Sequence, residues 1–131
     1  MTNHHSVNPP ALGEAKGYTN GIVAHQGRLL FVAGQVGWDK DHRFEQGFEA
    51  QFERALANVL EVVGAAGGTP ESITRMTIYV TNKKLYGEKT QEIGQIWRAK
   101  LGHWYPAMTL VEVKGLLEDA AVVELEATAV L

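Results

Sequence analysis

The sequence of 131 residues contains no cysteine. The absence of thiols excludes disulfide bonds and thiolate catalysis, and it favours a protein of the reducing cytoplasm. Long apolar runs are also absent: no stretch approaches the roughly 20 residues that a membrane-spanning helix needs, and the first residues lack the apolar core of a signal peptide. We therefore predict a cytoplasmic location and no membrane partner.

An excess of basic residues is likewise missing. The chain has 12 lysines and arginines against 15 aspartates and glutamates, which gives a formal net charge of −3. Nucleic-acid-binding domains usually carry a basic face, because phosphate contacts supply much of their affinity. The charge balance therefore disfavours nucleic acid as a partner.

Side chains typical of metal and nucleophile sites are few and scattered. His25, His42 and His103 show no pair at metal-ligand spacing, and no cysteine can join them. Ser6 lies in the N-terminal segment and Ser72 in a capping turn, which disfavours serine catalysis. No glycine-rich phosphate loop is present. The sequence thus predicts neither a metal nor a cofactor.

What is present is the composition of one globular domain over residues 1–131. The chain is 45% hydrophobic and 21% charged, and its length suffices for a substantial core. The first residues, about 1–12, include two histidines and two prolines, and we predict that they are poorly ordered.

The spacing of apolar residues predicts an α+β fold. Strands at residues 22–25 and 28–33 would form a hairpin across a tight turn at Gln26-Gly27. Two long helices follow the 3.6-residue period over residues 45–66 and 84–101. The other strands alternate in polarity over residues 74–81, 108–113 and 121–131. We expect a single sheet with both helices packed on one face.

The last strand predicts two different faces of this sheet. One set of alternate residues is apolar and suits packing against the helices: Val123, Leu125, Ala127, Ala129 and Leu131. The other set is mixed and includes two carboxylates: Val122, Glu124, Glu126, Thr128 and Val130. The strand at residues 29–33 is apolar on both faces. Because two helices cover one face, the second face requires another copy of the chain, and we predict self-association.

Four segments together resemble one known family. They are Gly17-Tyr18-Thr19-Asn20-Gly21, the strand at 29–36 with its Ala33-Gly34-Gln35 end, residues 105–113, and residues 122–129. In order and spacing they resemble the Rid family, also described as YjgF, RidA-like or endoribonuclease L-PSP-like proteins. The resemblance implies a chorismate-mutase-like fold and a homotrimer with a central barrel and small-molecule pockets between subunits.

The resemblance also implies a chemistry, the hydrolysis of reactive imines and enamines to ketones and ammonia. In the deaminase branch of the family, a glutamate on the last strand positions water, and a tyrosine near the N-terminus lines the site. Backbone groups of a Ser-Gly-Gln strand assist. Carried over by resemblance, these positions are Glu124, Tyr18 and Gly34, with Ala33 in place of the serine.

Met108 departs from the family pattern. The deaminases carry an arginine there, which grips the substrate carboxylate, and Thr109 follows it here. Methionine offers adaptable apolar surface and no charge-assisted hydrogen bond. The substrate then either lacks a carboxylate or meets a cation from elsewhere, such as Arg98 or Lys114. We expect an apolar or neutral ligand, unlike amino-acid-derived imines; as a structural alternative, Met108 fills the core.

Two further residues have both a functional and a structural interpretation. Glu124, on a largely covered sheet face, would orient a water molecule in a pocket or simply occupy a polar slot of the barrel interior. Trp38 would form a wall of the pocket mouth or pack against a neighbouring subunit.

Three functions remain open from the sequence. The first is a hydrolase or deaminase that acts on an imine, enamine or related C–N compound through Glu124. The second is a non-catalytic trimeric module for small-metabolite binding and stress protection. The third is an endoribonuclease, which the acidic composition disfavours.

Overall fold

The computed structural model describes residues 4–131. Its main sheet has four strands: β3 (Leu29–Val36), β4 (Ile73–Val80), β5 (Ala107–Glu112) and β6 (Val123–Val130). The strand order is β3-β6-β4-β5. β4 and β5 are parallel, and the other pairs are antiparallel. A parallel pair needs a long crossover, and helices form it here. The predicted α+β class, a sheet with helices on one face, is confirmed.

Two further strands form a separate ribbon near the N-terminus. β1 (His5–Val7) pairs with β2 (Gly21–Val23), and a 3₁₀ turn follows at Pro10–Leu12. The His4 ring fixes this segment, because it accepts the His25 N–H at 2.9 Å and donates to the Val130 carbonyl at 3.0 Å. The poorly ordered start, about residues 1–12, stays a prediction, and residues 1–3 of it lie outside the described residues.

The predicted hairpin across Gln26-Gly27 is wrong. β2 pairs with β1, and β3 pairs with β6 instead. The C-terminus occupies the position of the expected partner, since the Leu131 N–H donates to the Arg28 carbonyl at 2.9 Å. Gly27 accordingly lies against the Leu131 backbone, where a Cβ would be 3.2 Å from the Leu131 carbonyl carbon.

Within residues 4–131 both predicted long helices are present, and a break divides the second into a short and a longer helix. α1 is Phe48–Ala65, α2 is Lys83–Glu88 and α3 is Thr90–Leu101. The break falls at Lys89, whose φ of −114° and ψ of 16° leave the helical region. The Lys89 N–H closes α2 on the Tyr86 carbonyl, and its own carbonyl accepts the Ile93 N–H of α3. Gly87 lowers helix propensity just before the break, which helps to explain it.

The core lies between α1, α3 and one face of the sheet. Phe52, Leu56 and Val59 of α1 are fully buried and meet the apolar set of β6, of which Val123, Leu125, Ala127 and Ala129 are buried. The larger of these side chains, such as Phe52, Leu56 and Leu125, each contribute about 1.5–3 kcal/mol by leaving water. The predicted inward face of the last strand is therefore confirmed.

The other face of the sheet, called the open face here, carries no helix of residues 4–131. Two of its apolar side chains on β3 are largely exposed, Leu29 at 63% and Phe31 at 74%. Isolated exposed apolar residues are ordinary, but two on one strand beside a mixed face form a patch suited to association. No helix within residues 4–131 is long and apolar enough to cross a membrane.

Candidate functional site

The N-terminal segment runs beside the edge strand β5. Thr19 forms a parallel bridge with Ala107, and its N–H donates to the Pro106 carbonyl at 3.3 Å. This bridge brings Tyr18 next to Met108 and Thr109, which are 90 and 91 residues away in the chain. The three side chains line one cleft of about 240 Å³, called the edge cleft, together with Thr19, Asn20, Arg75 and Ala107.

Met108 points away from the open face. The register pairs it with the fully buried Met76, and its side chain packs against the core. It also lines a second cleft of about 410 Å³, on the helix side of β5, called the helix-side cleft. Arg98, one of the two cations considered in place of the missing arginine, lines this cleft. Lys114 is exposed beyond the end of β5 and is not among the described residues that line either cleft.

Glu124 lies on the open face, two strands from β5. Its carboxylate sits directly over Gly34, where a Cβ would be 2.8 Å from the Glu124 Cδ. This close approach explains the need for glycine at position 34. The structure therefore brings together two of the residues that the resemblance assigns to the site.

A β-bulge shapes the same position. The register of β3 on β6 jumps between Val32 and Gln35, so Ala33 and Gly34 together oppose Glu126. Bulged residues leave the regular hydrogen-bond ladder, and bulges commonly adjoin functional sites. The Ala33 carbonyl accepts a bond from its neighbour, the Gln35 side-chain amide, at 3.1 Å. Ala33 and Gly34 thus offer backbone polar groups beside the Glu124 carboxylate.

Tyr79 lies between the two carboxylates of β6. It is the β4 partner of Glu124 in the register, and its hydroxyl donates to Glu126 Oε1 at 2.6 Å. This hydrogen bond to Glu126, with a smaller contribution from desolvation, raises the pKa of the Tyr79 hydroxyl. The phenol therefore remains a proton donor over the physiological range, and it holds Glu126 in place.

Sequence reasoning missed Tyr79 and Arg75. Both lie on β4, whose alternate residues Arg75, Thr77 and Tyr79 share the open face with Glu124. The alternation of β4 could have indicated them, since it places these residues on the face opposite to the buried Met76. What the pattern lacked was the identity of the neighbouring strands.

One chain does not unite all the candidate residues. β4 separates Glu124 on β6 from Thr109 on β5, and two strand spacings amount to about 10 Å. Trp38 lies elsewhere, where its ring stacks on His42 at 4.0 Å and lines a cleft against α1. The site residues therefore fall into a Glu124–Gly34 group, an edge-cleft group and the separate Trp38. Within residues 4–131, no three histidine or acidic side chains cluster as a metal site.

The fold and the Glu124–Gly34 geometry define a class of small α+β proteins, and comparison with known proteins identifies it. Residues 9–131 match the family model described as endoribonuclease L-PSP. The chain belongs to this family, which is the Rid family of the sequence resemblance.

Individual relatives agree with this assignment. A RutC family protein of Aquifex aeolicus is 34% identical over 105 residues, which cover 78% of this chain and 80% of the relative. The crystal structure of YyfB from Yersinia pestis, a Rid family protein of unknown function, superposes with a TM-score of 0.89. It is 30% identical and the match covers 98% of this chain and 99% of that one. E. coli TdcF with bound serine gives a TM-score of 0.72 and 26% identity over 91% of each chain.

Proposed function

We propose that this chain is a RidA-like hydrolase that acts on a reactive imine, an enamine or a related small C–N compound. The observation that carries the proposal is the Glu124 carboxylate seated over Gly34 at the bulge of β3. A half-buried carboxylate beside backbone polar groups can orient a water molecule and accept its proton.

The reaction needs little beyond this arrangement. A protonated imine carbon is already electrophilic, so water adds to it while the Glu124 carboxylate takes one proton. The resulting amino alcohol receives that proton on nitrogen, the C–N bond breaks, and ammonia leaves. The hydroxyl proton passes to the departing ammonia, which yields the ketone and ammonium. Glu124 is again a carboxylate at the end of the cycle, as a catalyst must be.

The assembly that suits this proposal is a homotrimer with a pocket at each subunit boundary. The Glu124–Gly34 group lies toward the β3 edge of the sheet, whereas Tyr18 and Thr109 lie at the β5 edge. In a cyclic oligomer each subunit presents one surface to the next, so two unlike half-sites of neighbouring chains meet at every boundary. The exposed Phe31 on the open face would lose its contact with water in such an assembly. The cytoplasmic location stays a prediction.

The substrate differs from the amino-acid-derived imines that an arginine on β5 would hold. Met108 provides apolar surface there, so the substrate either has no carboxylate or binds a cation of another element. The amino acid in the TdcF structure supports a small metabolite as the ligand of this fold.

A non-catalytic metabolite-binding module is the alternative. The absence of an arginine at Met108 and the bound serine of TdcF favour this function, because they concern ligand binding and not turnover. Endoribonuclease activity, named in the family description, is the third candidate, and the net charge of −3 weighs against it. RNA cleavage would require binding that weakens steeply with salt.

The test is an imine-hydrolysis assay that compares the wild-type protein with Glu124→Gln. An amino-acid oxidase generates carboxylate-bearing imines in the cuvette, and an amine oxidase generates a neutral set. The proposal expects faster release of ammonia with at least one set, reduced on the order of 10²-fold in Glu124→Gln. If neither set is accelerated, the metabolite-binding function takes its place.

A further inference from the structure

The helix-side cleft has the features of a ligand site. It lies between the β5 edge, the N-terminal segment and α2–α3, and its volume is about 410 Å³. Ligand pockets of proteins are typically about 300–1,000 Å³ and mostly apolar, with a few polar groups that orient the ligand. Met108, Trp97, Tyr86 and Tyr105 provide such apolar walls here.

Two cations line this cleft, and the described lining contains no aspartate or glutamate. Lys16 enters from the N-terminal segment and Arg98 from α3. Neither side chain forms an ion pair with another residue in the range 4–131, where the ion pairs involve Arg54 and Lys89 instead. Two positive charges without an ion-pair partner, beside apolar walls, favour an anionic ligand. This local positive charge contrasts with the net charge of −3 of the whole chain.

The position of Arg98 depends on Gly94, one helical turn earlier. The guanidinium lies against this glycine: a Cβ at Gly94 would be 3.2 Å from Arg98 Nη1 and 3.8 Å from Cζ. Gly94 lines the same cleft, so its missing side chain leaves room for the guanidinium at the cleft surface. A guanidinium held in this way can offer two parallel N–H donors to a carboxylate.

The aromatic walls are fixed by their own contacts. The Trp97 ring stacks on Tyr105 with centroids 6.0 Å apart, and its Nε1–H donates to the Trp104 carbonyl at 2.9 Å. Tyr86 makes an edge contact with Phe48 at 6.1 Å. Side chains that are already immobilised lose little entropy when a ligand binds, which improves affinity.

We propose that the helix-side cleft binds a small carboxylate with an apolar side chain. Arg98 and Lys16 hold the carboxylate, and Met108 and its aromatic neighbours hold the apolar part. As a statement about substrate choice, this rests on the proposed hydrolase with a site completed by a neighbouring chain, because Glu124 of the same chain lies on the open face. As a statement about binding, it stands on the cleft alone. The inference replaces the expectation of a neutral ligand, because the cation missing at position 108 is supplied by α3 and the N-terminal segment.

Three matched probes test the inference on the full chain. They are 4-methyl-2-oxopentanoate, its primary amide, and pyruvate, which differ in charge or in the apolar chain alone. Binding is followed by NMR at the three tryptophan indole N–H groups. We expect the branched oxo acid to shift the Trp97 signal, and to bind about tenfold more tightly than either of the other probes. Trp38, in a separate cleft, is the internal control.

Substitutions identify the cations. Arg98→Met is expected to weaken binding of the oxo acid about tenfold, and Lys16→Met by a smaller factor. Lys114→Met, which removes an equal charge outside the cleft, is expected to leave affinity unchanged. Equal affinity for the acid and the amide, or an Arg98→Met protein that binds as the wild type does, would overturn the inference.

The proposed hydrolase activity and the inference about the helix-side cleft can hold or fail independently. If the oxo acid binds through Arg98 but no imine is hydrolysed, the inference holds and the proposed activity fails. If imines are hydrolysed through Glu124 while Arg98→Met leaves KM unchanged, the activity holds and the statement about substrate choice fails, whereas the NMR titration decides the statement about binding.

Discussion

The two faces of the sheet differ in what they contribute. Toward the helices, Met76 and Leu125 are completely buried in an apolar core. On the open face, Glu124, Tyr79 and Glu126 form a polar group, and Phe31 remains largely exposed. The apolar core on one face therefore stabilises the fold, and the other face keeps polar groups and an exposed aromatic ring available for contacts.

A single strand serves both purposes. Along β6 the odd-numbered residues from Val123 to Ala129 enter the core, and the even-numbered residues from Glu124 to Thr128 face outward. A slip of one residue in register would exchange these two sets, burying two carboxylates without partners. Burial of the apolar set therefore fixes the position of Glu124.

The largest expected effect is a difference in the free energy of unfolding between substitutions on the two faces. Leu125→Ala should lower the free energy of unfolding by about 2–5 kcal/mol, because it opens a cavity in the core. Phe31→Ala should change the stability of a single protomer by no more than about 0.5 kcal/mol, since the ring is 74% exposed. Urea denaturation at several protein concentrations measures both. A Phe31→Ala protein that loses stability as much as Leu125→Ala would contradict the assignment of the faces.

A smaller change should remove activity without unfolding the chain. The new methyl group of Gly34→Ala collides with the Glu124 carboxylate, so we expect imine hydrolysis to fall roughly 10²-fold, as in Glu124→Gln. Gly115→Ala is the matched control, because a Cβ there meets nothing within 4 Å. Ammonia release measures both variants, and full activity in Gly34→Ala would show that the carboxylate need not occupy this position.

The sequence predicts the fold where patterns are local. Strand alternation divides β6 into a buried and an outward set, apart from Val130, which is buried, and the apolar period locates α1. It fails where the outcome depends on distant partners: β3 pairs with β6 and not with β2. The break at Lys89 also escapes the pattern, because no proline marks it within residues 84–101.

The residues of the candidate site also divide into those that the sequence indicates and those that only the tertiary structure brings together. The Glu124–Gly34 contact matches residues chosen by resemblance, whereas the cations of the clefts depend on tertiary structure. Arg75 reaches the edge cleft through the β4–β5 register, and Lys16 reaches the helix-side cleft because Thr19 bridges to Ala107. No spacing within the sequence encodes these distances.

Gly94→Ala tests the helix side of the sheet. Alanine should stabilise α3 by about 0.5–1 kcal/mol, yet its methyl group crowds the Arg98 guanidinium and should weaken binding of the oxo acid several-fold. Gly64→Ala in α1, where a Cβ meets nothing within 4 Å, should give the stability gain alone. Thermal unfolding and NMR titration measure the pair. Equal affinity of the two variants for the oxo acid would show that the Arg98 guanidinium does not hold the ligand.

The smallest effect concerns the pH dependence of the open face. The hydrogen bond to Glu126 raises the pKa of Tyr79 above its ordinary value of 10.0. The neutral phenol is favoured in the folded chain, so its contribution to stability is present below pH 10 and is lost as the pH rises through the raised pKa. Glu126→Gln should move the titration of Tyr79 back toward 10, as followed by NMR of labelled tyrosine rings. An unchanged titration would contradict the role of Glu126.

Complementation between two inactive variants tests most directly whether each site is shared between two subunits. In the proposed trimer, Glu124 of one chain and Tyr18 of its neighbour complete each site. Glu124→Gln and Tyr18→Ala are denatured together in equal amounts, refolded and assayed for imine hydrolysis. Random assembly leaves about a quarter of the boundaries with both wild-type residues, so we predict that about a quarter of wild-type activity returns. A mixture no more active than the separate variants would contradict a site shared between subunits.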